Sequence, residues 1–344
     1  MGGDSAPNYI VEGAIRASRQ LGHEIILVGD PDALRRELKR HKAEEGVTLR
    51  IESSENVVGM EESPAQGCRQ KPKSSIMVST KLVGLGQADA VVSAGNSGAT
   101  MAAALWHMHR LPGVSRPAIA TVMPTLKGFC VLTDAGANVD CKPKHLLQFA
   151  VMGSEYVKNI FNRPNPRVGL LSIGEEPSKG NELTLAASEL LAQYIPNFIG
   201  NVEGRDIPKG TADVVVCDGF VGNAILKFAE GMAQAVVSLV REGIEAHPIA
   251  KLGGLLIRGA LRDLHRKMDY SEYGGAPLLG VNGICIVCHG KSTPKAIFNA
   301  IRVASELVQK QTNEHIRQEL HRLHPPADST EPKPQVSYSQ QMLA

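Results

Sequence analysis

Apolar runs rich in β-branched residues recur along the chain, and each gives way at once to a short loop of glycine, aspartate, asparagine or serine. The runs lie at 24–30 (EIILVGD), 88–100 (ADAVVSAGNSGAT), 128–138 (GFCVLTDAGAN), 167–182 (RVGLLSIGEEPSKGNE), 212–223 (ADVVVCDGFVGN) and 284–290 (ICIVCHG). Near-continuous apolar strands belong to a parallel sheet covered on both faces. Their alternation with helical sequence predicts a doubly wound, mostly parallel α/β architecture. In such sheets ligands bind beyond the carboxyl ends of the strands, so the glycine loops are expected to converge on one edge. A single loop of this kind is an ordinary tight turn; the recurrence carries the expectation.

Between the strands, NYIVEGAIRASRQL (8–21) and KHLLQFAVMGSEYVKNI (144–160) have helical apolar spacing, the second with Pro143 placed in its first turn. Residues 55–76 read as irregular, with Arg69, Lys71 and Lys73 ahead of Ser74 and Ser75. The stretch 247–269 is amphipathic: Ile257, Leu261, Leu264 and Met268 share one helical face, and Arg258, Arg262 and Arg266 another. Leu255, Leu256 and Ile257, beside Gly253 and Gly254, form an apolar tip. Such a segment packs on a core or on a dimer partner, or lies on a membrane or an acidic protein. The final stretch 325–344 has four prolines and few large apolar groups, and is expected to be disordered. The expected organisation is one catalytic α/β unit over 1–324, a protruding hairpin at about 245–270 and that tail.

With 43% hydrophobic and 21% charged residues, the chain is globular in composition, and its net charge of +2 gives no footprint for nucleic acid. The opening residues carry no secretory pattern, and no apolar stretch reaches the ~18 residues a spanning helix needs. The expectation is a cytoplasmic protein with reduced thiols. Its six cysteines (68, 130, 141, 217, 285 and 288) sit among apolar neighbours, as buried free thiols do.

Cys285, Cys288 and His289 have the C-x-x-C-H order of a c-type haem attachment. The absent export signal and the β-branched surroundings favour a strand instead. Other signatures fail on context: GLGQAD precedes its strand, Lys179-Gly180 reverses the P-loop order, and no G-x-S-x-G elbow occurs. What the loops do offer is small donors (Ser93, Asn96, Ser97, Asn138, Asn181 and Asn223) among glycines, with Lys179 and His289 for charge. That set suits phosphate or a developing oxyanion.

The motifs MGGD, SAGNSGA, DAGANVD, GEEPSKGNEL, NVEGRD, DGFVGN, YGGAPLLG and HG, in this order over residues 1 to about 320, resemble the bacterial phosphate acyltransferases of phospholipid synthesis. The resemblance implies transfer of a long acyl chain from acyl-carrier protein to inorganic phosphate, and a product consumed by a membrane glycerol-3-phosphate acyltransferase. It further implies a fold similar to phosphotransacetylases and isocitrate/isopropylmalate dehydrogenases, a homodimer, and no metal or redox cofactor. The substrate contacts it implies are Gly3, Asp4, Ser93, Gly95, Asn96, Ser97, Gly98, Asp134, Gly136, Asn138, Asp218, Gly219 and Asn223, with His289, Lys179 and Asn181 as catalytic groups. Leu255, Leu256, Ile257, Arg258, Arg262 and Arg266 would touch the inner face of the cell membrane or the carrier protein. Family members place a strand ending in Asp-Ala just before Met-Gly-Gly-Asp, so the N-terminal strand of the family is expected to be missing here.

The mechanism expected is direct attack of phosphate on the thioester carbonyl, catalysed by positioning and oxyanion stabilisation. An acyl-cysteine route through Cys141 or Cys217 is the rival. Two other classes stand beside this reading: a metal- and NAD-dependent decarboxylating dehydrogenase of the same fold, which needs a carboxylate cluster, and a non-catalytic membrane scaffold that binds carrier protein.

Overall fold

A computed structural model describes residues 1–43, 48–247 and 270–323, together with 250, 251, 253, 256–259 and 262. Leu255, Leu261, Leu264, Arg266, Met268 and the tail 325–344 lie outside the described residues. Strands β1 (Ile25–Gly29) and β2 (Leu49–Ser53) pair in parallel as a small sheet of their own. The main sheet has eight strands: β3 (Ala90–Ser93), β4 (Ala118–Thr125), β5 (Gly128–Thr133), β6 (Val168–Leu171), β7 (Phe198–Val202), β8 (Val214–Val216), β9 (Ala276–Leu279) and β10 (Ile284–Val287), ordered β3-β10-β9-β4-β5-β8-β6-β7. The α/β class with a mostly parallel sheet is the one the apolar runs predict.

The two flanks of this sheet run in opposite directions. β3–β10, β5–β8, β8–β6 and β6–β7 pair in parallel, whereas β10–β9, β9–β4 and β4–β5 are antiparallel. Three reversals leave β3 and β10 pointing against β5, β8, β6 and β7. The flanks are also staggered, because β9 gives Ala276 and Pro277 to β10 but Leu278 and Leu279 to β4. Val287 is therefore level with Ala276, and Asp134, next to the Thr133–Ala120 pair, is level with Ile119 and Leu278. Two residues along β9 and three strand spacings separate the two sets of carboxyl ends, roughly 15 Å. The expected convergence on one edge is thus corrected: the loops leave from opposed edges of the sheet, on either side of β9. Apolar runs carry no direction.

The described helices are α1 (Asn8–Leu21), α2 (Pro31–Arg40), α3 (Pro64–Gln70), α4 (Ser75–Gly84) and α5 (Ser97–His107). They continue with α6 (Pro143–Phe161), α7 (Glu182–Tyr194), α8 (Gly219–Ala246), α9 (Pro294–Gln309) and α10 (Thr312–Leu323). α1 spans the residues its periodicity marks, and packs on α9. α6 is the central helix, with every residue from Leu146 to Val157 buried and Pro143 in its first turn, as predicted. Phe149, Tyr156 and Leu146 of α6 join Val131, Val214, Leu170 and Ile286 of the sheet in the largest apolar cluster, each large side chain contributing about 1.5–3 kcal/mol. Residues 55–76 are less irregular than expected, since they contain α3 with Cys68 buried beneath it; seven residues are too few to show a period.

The Cys285–His289 segment is strand followed by loop, as read: Cys285 lies in β10, and the Cys288 amide extends the ladder to the Ser93 carbonyl at 2.7 Å. Between the small sheet and the main one lies a cavity of about 610 Å³, lined by Ile25–Val28 of β1 and Ala90–Ser93 of β3.

Candidate functional site

On the β3/β10 side, three segments meet through close backbone approach. The Asp4 amide donates to the Gly290 carbonyl at 2.8 Å. A β-carbon on Gly3, whose φ is +108°, would lie 3.1 Å from the Ala94 carbonyl oxygen and 3.2 Å from that of Gly290. Gly3, Asp4, the Ser93–Gly98 loop and His289-Gly290 are therefore one cluster. Ser93 Oγ accepts from the Gly95 amide (3.3 Å) and shares a hydrogen bond with Thr100 Oγ1 (3.0 Å), which also lies 3.0 Å from the Asn96 carbonyl. Ser97 and Gly98 open α5, and their amides lie ahead of the helix's own hydrogen bonding. His289 is exposed, and its Nδ1 accepts the Lys291 amide at 3.1 Å, which puts the ring proton on Nε2.

Asn96, expected to bind substrate, acts differently. Its Oδ1 caps α5 through the Ala99 amide, and its Nδ2 donates to the carbonyls of Gly59, Met60 and Glu62, each at 3.1 Å. The side chain fixes a neighbouring loop against the start of α5.

The β5/β8 side is built around a buried carboxylate. Asp134 Oδ1 accepts from the amides of Ile119 (3.0 Å), Gly136 (3.2 Å) and Ala137 (3.0 Å). Its Oδ2 accepts from the Asn138 amide (2.7 Å) and from Asn138 Nδ2 (2.8 Å). Burial pushes this carboxyl above its ordinary value, against the pull of Ala137, Asn138 and Ile119. The N–H groups of Gly136 and Asn138, expected to hold substrate, are here turned inward onto Asp134, and Asn138 Nδ2 also reaches the Pro117 carbonyl at 2.7 Å. Gly219 serves packing, since a β-carbon there would lie 2.7 Å from the Asn138 carbonyl oxygen, and one on Gly222 only 1.9 Å from that of Asp134. Asp218 caps α8 through the Val221 amide at 2.9 Å. Asn223, half-buried, sits against Gly136.

Lys179 and Asn181 follow β6, and so share the β5/β8 edge. Both are exposed, and Asn181 caps α7 by accepting the Thr184 amide at 2.9 Å. The structure thus divides the expected site residues into two groups and makes several of them scaffolding. It also brings up residues the sequence reading passed over: Arg116, Lys142, Lys144 and His145 gather beside the Asn138 loop. The run KPKH was visible in the sequence, but Pro143 was its only part with a positional meaning.

Cys141 and Cys217 are poor nucleophiles. Burial, with Asp134 and Asp218 adding to it, pushes the Cys141 thiol up to about 11, and burial drives the Cys217 thiol well above its ordinary value. Among the described residues, Glu175, Glu203 and Asp206 form the one carboxylate group close enough to share a metal. Arg205 pairs with Glu175 and Glu203, and Lys209 with Asp206, so each already has a cation.

Residues 1–315 match the family model described as "Fatty acid synthesis protein". The chain is 55% identical over 323 residues to a phosphate acyltransferase of Desulfitobacterium hafniense, covering 94% of this chain and 96% of that one. It is 50% identical over 320 residues to a phosphate acyltransferase of Geobacter sulfurreducens, covering 93% and 92%. Among solved structures, a phosphotransacetylase from Streptococcus pyogenes matches with TM-score 0.62 at 17% identity, over 88% of this chain and 92% of the other. The EutD phosphotransacetylase from Staphylococcus aureus matches with TM-score 0.59 at 16% identity, over 88% and 91%. At such identities the likeness is one of fold, and it is the fold that the sequence reading implied.

Proposed function

The chain belongs to the phosphate acyltransferase family, and from that premise we propose that it transfers a long fatty acyl chain from acyl-carrier protein to inorganic phosphate. The observation that carries the mechanism is the pair of loop clusters at the carboxyl ends of the two opposed sets of strands. One offers the first-turn amides of α5, and the other is built around the buried Asp134 carboxylate. Phosphate sits at the start of α5, held by the Ser93 hydroxyl, Ser97 and the amides of Ser97 and Gly98, where the helix end favours an anion. Lys179 and Asn223 add donors from the opposite side.

A phosphate oxygen attacks the thioester carbonyl carbon and forms the C–O bond of a tetrahedral intermediate. His289 Nε2–H donates to the oxyanion, the C–S bond breaks, and the carrier sulfur leaves with a proton. Phosphate is a competent nucleophile without activation, so positioning supplies the rate. The test is phosphate-dependent formation of acyl phosphate from a long-chain acyl-carrier protein, trapped with hydroxylamine as the hydroxamate. His289→Gln should lower kcat by about 10²-fold. A parent chain that is folded and makes no hydroxamate would sink the reading.

The apolar stripe on α8 supports a homodimer: Phe228 (70% exposed), Met232, Val236 and Leu239 (67% exposed) fall on one helical face. Phe228→Glu with Val236→Glu should give a monomer by analytical ultracentrifugation. Leu256 and Ile257 are exposed beside exposed Arg258 and Arg262, which supports contact with the anionic inner face of the cell membrane. No helix among the described residues is long and apolar enough to cross a membrane. At that surface the acyl phosphate passes to a membrane glycerol-3-phosphate acyltransferase. Loss of vesicle binding in Leu256→Glu with Ile257→Glu tests the contact.

A further inference from the structure

Helix α6 begins against the rule for helix ends. A helix N-terminus carries partial positive charge and favours acidic residues, yet the first turn of α6 has none: Lys142 is its cap, and Lys144 and His145 follow Pro143. α2 shows the ordinary arrangement, with Asp30 as cap and Asp32 in the first turn. An arginine-bearing loop is tied to the same place. Gln148 of α6 accepts the Ser115 amide and donates to the Gly113 carbonyl, each at 2.8 Å. Arg110 donates to the Ser115 carbonyl at 2.6 Å, and the Pro117 carbonyl accepts from Asn138 Nδ2 at 2.7 Å.

Arg116 is held between these tethers. Burial pushes the His145 ring below its ordinary value, and the charges of Arg116, Lys142 and Lys144 add to that push. These three cations are exposed. None of them forms an ion pair among the described residues; Asp140 is the nearest acid in sequence. A stability-costing set of like charges, fixed by hydrogen bonds beside the Asn138 loop, needs a partner to account for it.

We infer that Arg116, Lys142 and Lys144, with Arg110 and His145 at the margin, form the face on which an acidic carrier protein docks to present its thioester. This rests on the function proposed above. The charges are spread over two exposed segments rather than gathered in a pocket, which fits a protein surface better than a small anion. Cys141, one residue before the cap, bonds the Asn138 carbonyl at 3.7 Å, so a protein seated here stands next to the Asn138 loop.

The experiment is charge reversal in the full chain: Arg116→Glu with Lys142→Glu and Lys144→Glu, assayed by hydroxamate trapping. KM for acyl-carrier protein should rise about tenfold and lose most of its salt dependence, with kcat within about twofold and KM for phosphate unchanged. The melting temperature should hold or rise, because glutamates at α6 suit the helix end. Unchanged KM for the carrier overturns the inference. So does a matching rise in Arg258→Glu with Arg262→Glu while the α6 variant behaves as parent. If the parent forms no hydroxamate, the proposed function fails separately, and fluorescence anisotropy with labelled carrier protein still decides whether this face binds it.

Discussion

The two loop clusters on either side of β9 are held by different means. The β3/β10 cluster is assembled by backbone meeting backbone: Gly3 lies against Ala94 and Gly290, and Asp4 bonds Gly290. The amides of Ser97 and Gly98 there lie ahead of α5's own hydrogen bonding. The β5/β8 cluster is assembled by a buried carboxylate that takes five donors from its own loop and from β4. The first arrangement keeps donors for a ligand, and the second uses them up. A loop rich in asparagine and glycine can therefore be either a binding site or a scaffold, and the partner of each N–H decides which.

The comparison breaks most severely at Gly222. Its α-carbon is so close to the Asp134 carbonyl that a β-carbon would stand 1.9 Å from that oxygen, and backbone cannot yield as a side chain can. Gly222→Ala should cost about 3 kcal/mol by overpacking, read as a fall in melting temperature together with lost turnover. Next is Asp134→Asn, which keeps the shape but turns a donor toward N–H groups that need an acceptor. About 2–3 kcal/mol of stability should go with it, and near-ultraviolet dichroism of the folded fraction should report a changed loop. A variant as stable as parent would mean the five hydrogen bonds do not organise this cluster.

Smaller in energy but sharper in function is Gly3→Ala. The positive φ and the two carbonyl contacts should cost about 1–2 kcal/mol. Because the cradle itself is displaced, KM for phosphate should rise more than the stability loss explains. A rise in KM for the carrier protein alone would assign Gly3 to the wrong half of the site.

Much of this was legible in the sequence. The strands β1, β3, β5, β6, β8 and β10 and helices α1 and α6 follow from apolar runs and spacing, whereas the division of the loops into two clusters comes from strand direction. The stagger was not, because β9 contributes only four residues and pairs differently at its two ends. Nor was the inward turn of Asn138: an asparagine that donates to a ligand and one that donates to Asp134 are spelled alike. The basic start of α6 was written plainly as KPKH, but its meaning depends on Arg116, more than twenty residues earlier, being tied to the same helix end.

The smallest expected effect belongs to a residue lying between the Asn138 loop and the basic face. Cys141 is half-buried and touches the Asn138 carbonyl, close enough to the site for an acyl-cysteine route to be imagined. Its thiol is pushed up to about 11 by burial and by the carboxylates of Asp134 and Asp218, and the thiolate is the form that attacks a thioester. At neutral pH that form is scarce, and each carboxylate makes it scarcer. Cys141→Ser should therefore turn over within about twofold of parent, since serine fills nearly the same volume and can still donate to Asn138. Mass spectrometry of the parent quenched in mid-turnover should find no acylated Cys141. Should the serine variant be dead while remaining folded, or should the thiol carry the acyl chain, phosphate would not be the first nucleophile, and the cradle at α5 would act only in the second half of a two-step transfer.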